Sequence, residues 1–201
     1  MARTRALDYD DKQDAILEAA ARAIAEQGYP TTSMNDLAEA CGVSKGRIYY
    51  YFESKEAILH EILTRHVEEL AEACEEIIAG EPDATACFRA LVARVLEIYA
   101  VSRDKHVILM TSLRYLPPPQ REEIQERERR LVRLVGGVLE RIAEAAGRPL
   151  PHPRVTTMLL FGMVNWTYTW FRSEGPASVE ALTEEVCGLL LDGLRGGGAA
   201  G

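Results

Sequence analysis

Apolar residues recur every three or four positions through most of the chain. Ile16, Ala19, Ala20, Ala23 and Ile24 form the first such stripe, the spacing of one buried helix face, and Gly28 closes it. A short second helix opens after Thr32-Ser33. Ser33 followed by Asp36 fits a capping box, in which the hydroxyl accepts an orphan N–H and the carboxylate reaches back. It ends at Cys41-Gly42, where glycine suits the left-handed turn of a helix C-terminus. Ser44 caps a third helix from Lys45 to about Phe52. Ser54 caps a fourth, from Lys55 towards Ile78.

Gly80-Glu81-Pro82 then breaks the pattern. The spacing predicts a helix over Ala84 to Val101 and a short one over His106 to Leu113. Pro117-Pro118-Pro119 stops the latter, because proline lacks an N–H and clashes with the turn before it. A long helix follows, from about Gln120 to Ala146. Its first half, QREEIQERERR, reads as solvated; its second carries a stripe through Leu131, Leu134, Val135, Val138, Leu139 and Ile142. Pro151 and Pro153 precede another helix running to about Arg172. Ser178 caps the last, with Val179, Leu182, Val186, Leu189, Leu190 and Leu194 on one face. No hairpin signal or internal repeat interrupts this series. The expected class is all-α, with about nine helices. Segment 8–54 is expected as a small N-terminal domain, 55–195 as a larger second one, and 196–201 as a flexible tail.

Composition narrows the function. With 201 residues, 47% of them hydrophobic, the chain can bury a substantial core. Its net charge of −8 means that binding to a polyanion requires a local cationic patch. Cys41, Cys74, Cys87 and Cys187 form no C-x-x-C pair, which fits reduced thiols in a cytoplasmic protein. The N-terminus is charged and lacks the apolar stretch of a signal peptide. The most apolar run, Val155 to Phe171, holds too many polar residues for a membrane span.

One stretch supplies such a patch. In CGVSKGRIYYYFESKEAIL (41–59), a wheel at about 100° per residue places Ile48, Tyr51 and Phe52 on one arc and Lys45, Gly46, Arg47, Tyr49 and Tyr50 on the other. The outward arc combines two cations, two phenols and a glycine that leaves room for close approach. Those groups suit phosphate oxygens and base edges. The short preceding helix, the Gly42 turn and small Ala38 suit a helix-turn-helix, whose second helix enters the major groove. The plainer reading is a surface helix with exposed tyrosines.

The segment ILEAAARAIAEQGYPTTSMNDLAEACGVSKGRIYYYFESKEAIL (16–59) resembles the N-terminal DNA-binding domain of the TetR family of transcriptional regulators. The resemblance implies roles by position. Ser33 offers its hydroxyl or backbone N–H to phosphate, and Lys45 meets backbone or base. Gly46 permits approach, Arg47 faces bases, Tyr49 and Tyr50 hold phosphates, and Lys55 reaches phosphate from the start of the fourth helix. Ser44 is counted with them. Position 50 is often histidine in the family, 47 often small and 24 often aromatic; here they are Tyr50, Arg47 and Ile24. Arg47 is therefore the residue expected to set this protein's own base preference.

Palindromic sites require two recognition helices one turn of duplex apart, hence a dimer. The last two helices are expected to supply it through Val164, Tyr168, Val186 and Leu190, although the same stripes could be internal core. The middle helices are expected to enclose an effector. LRYLPPPQREEI, RRLVRLV and FGMVNWTYTWFR resemble TetR-family members that sense acyl-CoA or aryl-CoA thioesters. Trp166, Trp170 and Phe171 with Tyr115 would hold the apolar group; Arg114 and Arg172 would meet phosphates. The expected function is a repressor released from a palindromic operator by that effector, with no cofactor or metal. A regulator of efflux genes sensing lipophilic drugs is the alternative. An all-α enzyme is a third reading. Its best motif, His60-Glu61…His66, lacks the H-E-x-x-H spacing that puts two imidazoles on one metal.

Overall fold

The computed structural model describes residues 2–196, with side chains over 9–193. Among them it is all helical: α1 (Ala2–Gln27), α2 (Met34–Ala40), α3 (Lys45–Tyr51), α4 (Lys55–Gly80), α5 (Ala84–Val101), α6 (Arg103–Ser112), α7 (Pro118–Ala145), α8 (Pro153–Trp166) and α9 (Val179–Gly196). The tail expected at 196–201 lies outside the described residues beyond Gly196, and the side chain of Leu194 is likewise outside them. No helix of the described residues is long and apolar enough to cross a membrane.

The chain forms two compact units, and they do not divide at residue 54. The first runs to His66 and takes in Asp104–Gln125; the second joins Val67–Arg103 to the chain from Glu126 onward. Helices α4 and α7 each contribute to both.

In the first unit, the α1 stripe is buried as its spacing requires: Ile16, Leu17, Ala20 and Ile24 are each at most 4% exposed. It packs on α2, and α2 on α3. Segment 104–125 belongs here because its own apolar residues, Ile108, Leu116 and Ile124, are buried in this unit. Lys105 pairs with Glu18, His60 meets Glu123 at 3.0 Å, and the Tyr115 ring stacks on Tyr29 at 5.3 Å. The prolines at 117–119 do not directly end α6. It gives way at Ser112 to a 3-10 turn, Leu113–Tyr115, and Pro118 opens α7, where its missing N–H costs nothing.

The second unit is built around α5, buried from Cys87 to Tyr99, with α9 packed closely against it. Leu131, Val135, Val138 and Leu139 of α7, Leu160, Phe161 and Val164 of α8, and Val186, Cys187 and Leu191 of α9 complete the core. Gly136 is needed for close approach: a Cβ there would sit 3.1 Å from the Thr157 hydroxyl. The charged run of α7 is less solvated than its composition implies. Arg127 pairs with Glu68, and Arg130 bridges Glu68 at 3.1 Å and Glu75 at 2.6 Å.

Helix α8 stops at Trp166, six residues before the expected end. The Thr167 hydroxyl donates to the Val164 carbonyl at 2.7 Å and that of Thr169 to the Trp166 carbonyl at 2.8 Å. Such back-bonding competes with the helical ladder, and the chain tightens into a 3-10 turn, Thr167–Thr169.

Candidate nucleic-acid interface and effector cavity

The α2–α3 unit is set by its caps. The Ser33 N–H donates to the Asp36 carboxylate at 2.8 Å and the Asp36 N–H to the Ser33 hydroxyl at 3.2 Å, closing the capping box. At the other end of α2, Gly42 has φ +64°. The Val43 N–H reaches the Ala38 carbonyl at 3.0 Å and the Gly42 N–H that of Glu39 at 2.9 Å. These paired bonds require a residue in the left-handed region, which glycine enters without a Cβ penalty. The turn then delivers Ser44, whose hydroxyl accepts the Arg47 N–H at 3.2 Å and starts α3.

Helix α3 faces as the wheel requires. Ile48 is fully buried and Phe52 nearly so, and with Leu37 and Ala38 of α2 they hold the helix down. Lys45, Gly46, Arg47, Tyr49 and Tyr50 are all exposed, Tyr50 at 72%. Among the described residues neither Lys45 nor Arg47 closes an ion pair. Tyr51 turns back to Tyr9 of α1, ring centroids 4.8 Å apart, and Tyr50 meets the same ring edge-on at 6.0 Å. Tyr9 thus props the exposed tyrosine. Apolar periodicity did not reveal it, because Tyr9 lies ahead of the α1 stripe in a charged segment.

Two assignments change. The Ser33 backbone N–H already binds Asp36, so only its hydroxyl proton can serve a phosphate. Lys55 is not an open cation. Its ammonium donates to the carbonyls of Tyr29 at 2.8 Å and Thr32 at 2.7 Å and sits 4.2 Å from the centre of the Tyr29 ring. It ties the 28–33 loop to α4. The Tyr29 hydroxyl donates to Glu56 at 3.1 Å; burial first, then that carboxylate, pushes the phenol well above its usual range.

The residues expected around an effector fall in different units. Arg114 and Tyr115 belong to the first unit, the guanidinium donating to its neighbour's hydroxyl at 3.1 Å. Trp166 and Trp170 of the second unit are 62% and 54% exposed, and Arg172 is exposed as well. Because α8 ends at Trp166, the two tryptophans share no helix face. Trp170 instead stands edge-on to Phe171 at 6.1 Å. The cavity lies one layer in, between α5, α7 and α8. Leu91, Val92, Val95, Val135, Leu160, Phe161 and Val164 line a small apolar cavity there, of about 20 Å³. Those residues read from sequence as core stripe, and nothing in a stripe marks where its packing is incomplete.

The expected dimer residues are also corrected in part. Val164 and Val186 are only 3% and 5% exposed, buried within this chain. Tyr168 and Leu190 are half-buried. The apolar face left open is a different one: Val155, Met158, Leu159 and Trp166 on α8, with Leu189 on α9. On α8 these recur at three-, four- and seven-residue steps with Gly162 among them, one continuous face.

Among the described residues no group of three or more His, Cys, Asp or Glu could hold a metal. His60 is engaged with Glu123. His66 is buried with its ring 5.9 Å from that of His106.

A model of the tetR family of bacterial regulatory proteins matches residues 16–62. One of the tetracyclin repressor-like C-terminal domain matches residues 81–194, more than half of the chain. The chain belongs to the TetR family. It is a helix-turn-helix transcriptional regulator and not an enzyme. The HTH-type transcriptional repressor KstR2 of Rhodococcus jostii is 28% identical over 181 residues, 89% of each chain. The fatty acid metabolism regulator protein of Bacillus subtilis is 26% identical over 182 residues, 90% of this chain and 94% of its own. Among solved structures, a TetR-family regulator from Bordetella parapertussis is 43% identical with a TM-score of 0.84, over 90% of this chain and 94% of its own. AibR, solved in complex with isovaleryl coenzyme A and operator DNA, shares the fold at 24% identity, with a TM-score of 0.81 over 90% of this chain and 98% of its own.

Proposed function

We propose that this TetR-family regulator is a cytoplasmic homodimeric repressor. It holds a palindromic operator through α3 and releases it when the acyl group of a coenzyme A thioester enters the α5–α7–α8 cavity. Lys45, Tyr49, Tyr50 and the Ser33 and Ser44 hydroxyls position the protein on phosphates, Gly46 allows close approach, and Arg47 reads bases. The observation that carries the effector half is the cavity lining, seven side chains without a polar atom among them. Such a wall accepts an aliphatic chain and offers no partner to a polar body. At about 20 Å³ the closed space holds no acyl chain as it stands, so a ligand must part α5, α7 and α8 to enter. The name of the B. subtilis relative and the thioester in the AibR complex support the same class.

Release requires that the ligand prefer a state that binds DNA poorly. Moving from mostly competent to mostly incompetent takes about 5.5 kcal/mol of differential affinity. The test is operator binding by fluorescence anisotropy against a series of acyl-CoA thioesters, free CoA and cationic dyes. Release by short thioesters but not by free CoA is the expected outcome. Release by the dyes alone assigns the protein to drug sensing.

A further inference from the structure

Helix α3 is braced by a residue outside the segment that carries its motif. Tyr9, Tyr50 and Tyr51 all lie in the first unit. Tyr9 belongs to α1 but precedes residue 16, where the match to the tetR family begins. It stands seven residues before Ile16, two helical turns, so it continues the face on which Ile16 is buried. Farther along, α1 packs on α2; at Tyr9 it meets α3.

The three rings close on one another. Tyr9 lies 4.8 Å from Tyr51, tilted at 36°, and 6.0 Å from Tyr50, edge-on at 73°. Tyr50 and Tyr51 are themselves edge-on at 5.2 Å and 88°. Edge-to-face pairs at such separations attract, because the positive rim of one ring meets the negative face of the next. Tyr50 is unlike the other two. It is 72% exposed, whereas Tyr9 and Tyr51 are half-buried. An exposed side chain on a helix exchanges among staggered rotamers, and contacts with two rings favour one of them. The Tyr50 phenol is thereby steadied while it stays open to solvent, on the arc of α3 that carries Gly46 and Arg47, four and three residues earlier. Asp10 and Asp11 follow Tyr9 and are exposed. Their charge repels phosphate, which makes Tyr9 a poor phosphate contact in its own right.

We propose that Tyr9 is a positioning residue for DNA binding. It holds the Tyr50 phenol in the orientation that meets a phosphate, so the cost of ordering that side chain is met before the duplex arrives. This rests on the reading of Tyr50 as a phosphate contact. It makes the start of α1, ahead of the segment that matches the family, a working part of the DNA-binding surface.

Fluorescence anisotropy of a labelled mixed-sequence duplex, titrated with full-length protein at several salt concentrations, tests this. Such a probe suffices because phosphate contacts carry no sequence information. Tyr9→Ala is expected to weaken binding about fivefold, the scale of ordering one side chain, and Tyr9→Phe, which keeps the ring, to bind as wild type. Tyr50→Ala weakens binding at least as much as Tyr9→Ala, and the double variant no more than Tyr50→Ala alone. In Tyr9→Ala the slope of log affinity against log salt stays at its wild-type value, because no cation leaves a phosphate. A merely structural role, displacing α3 as a whole, would carry Lys45 and Arg47 off the duplex, flatten that slope, and persist without Tyr50. Either result overturns the proposal, as does unchanged affinity in Tyr9→Ala. Unchanged affinity in Tyr50→Ala instead sinks the phosphate reading of Tyr50, and the proposal with it. Melting curves establish that each variant is folded. Should Tyr9→Ala melt early, Tyr9→Leu, which keeps apolar bulk against Tyr51 but has no ring, is read in its place with the same expectation.

Discussion

Gly42 and Gly46 lie four residues apart and do different work. Gly42 holds φ +64° in the turn before α3, and an added Cβ there meets nothing within 4 Å. Gly42→Ala therefore incurs backbone strain without a clash, about 1–2 kcal/mol, read as a lower melting temperature. Gly46 also has open space around it but sits inside a helix, where alanine is favoured by about 1 kcal/mol. Gly46→Ala is expected to hold or raise stability while weakening operator binding, because the methyl stands where the duplex must approach. Arg47→Ala should relax base preference at one position of each half-site, with a loss of about 1–3 kcal/mol on the preferred sequence. Competition binding across operator variants checks this. Lys55→Met, in contrast, should lower stability by removing its bonds to the Tyr29 and Thr32 carbonyls. A melting temperature equal to wild type, with operator affinity reduced, would return Lys55 to the phosphate-binding set.

At the scale of elements, α8 shows what periodicity can and cannot tell. The 153–166 stretch reads as helix, and it is one. Its two apolar faces are indistinguishable in a sequence pattern, so Val164 was as good a candidate for an interface as Leu159. Packing separates them, with Val164 at 3% exposure and Leu159 at 63%. Leu159→Glu is expected to give a folded chain that sediments as a monomer and loses cooperative operator binding. Val186→Ala opens a cavity in the core and should cost about 1–3 kcal/mol, with association unchanged. The end of α8 departs from the periodic pattern for a related reason. Thr167 and Thr169 look tolerable in a helix until their hydroxyls find carbonyls one turn back.

For the molecule as a whole, buried His66 makes folding pH-dependent. His66 has no exposed surface, and burial, with the nearby His106 and Lys105 adding to it, lowers its pKa from 6.5 to about 3. The folded state therefore keeps the ring neutral, whereas the unfolded chain takes up a proton as pH falls below about 6.5. Stability is lost through the window from 6.5 down to about 3, at roughly 1.4 kcal/mol per unit. Chemical denaturation at pH 7 and pH 5 should differ by about 2 kcal/mol, and His66→Phe should flatten that difference.

The all-helical class, most helix positions and the inward and outward faces of α3 were determined by sequence alone. The physical reason is that caps, glycine turns and three-to-four spacing are local, and each acts within a turn or two of chain. Tertiary structure decided which stripe residues pack and which stay open, where the core is incomplete, and that segment 104–125 folds with the N-terminal helices. It also gave Lys55 an internal role, donating to the Tyr29 and Thr32 carbonyls. Those outcomes depend on what meets a side chain from distant parts of the chain, and an apolar or cationic residue carries no local mark of its eventual neighbour.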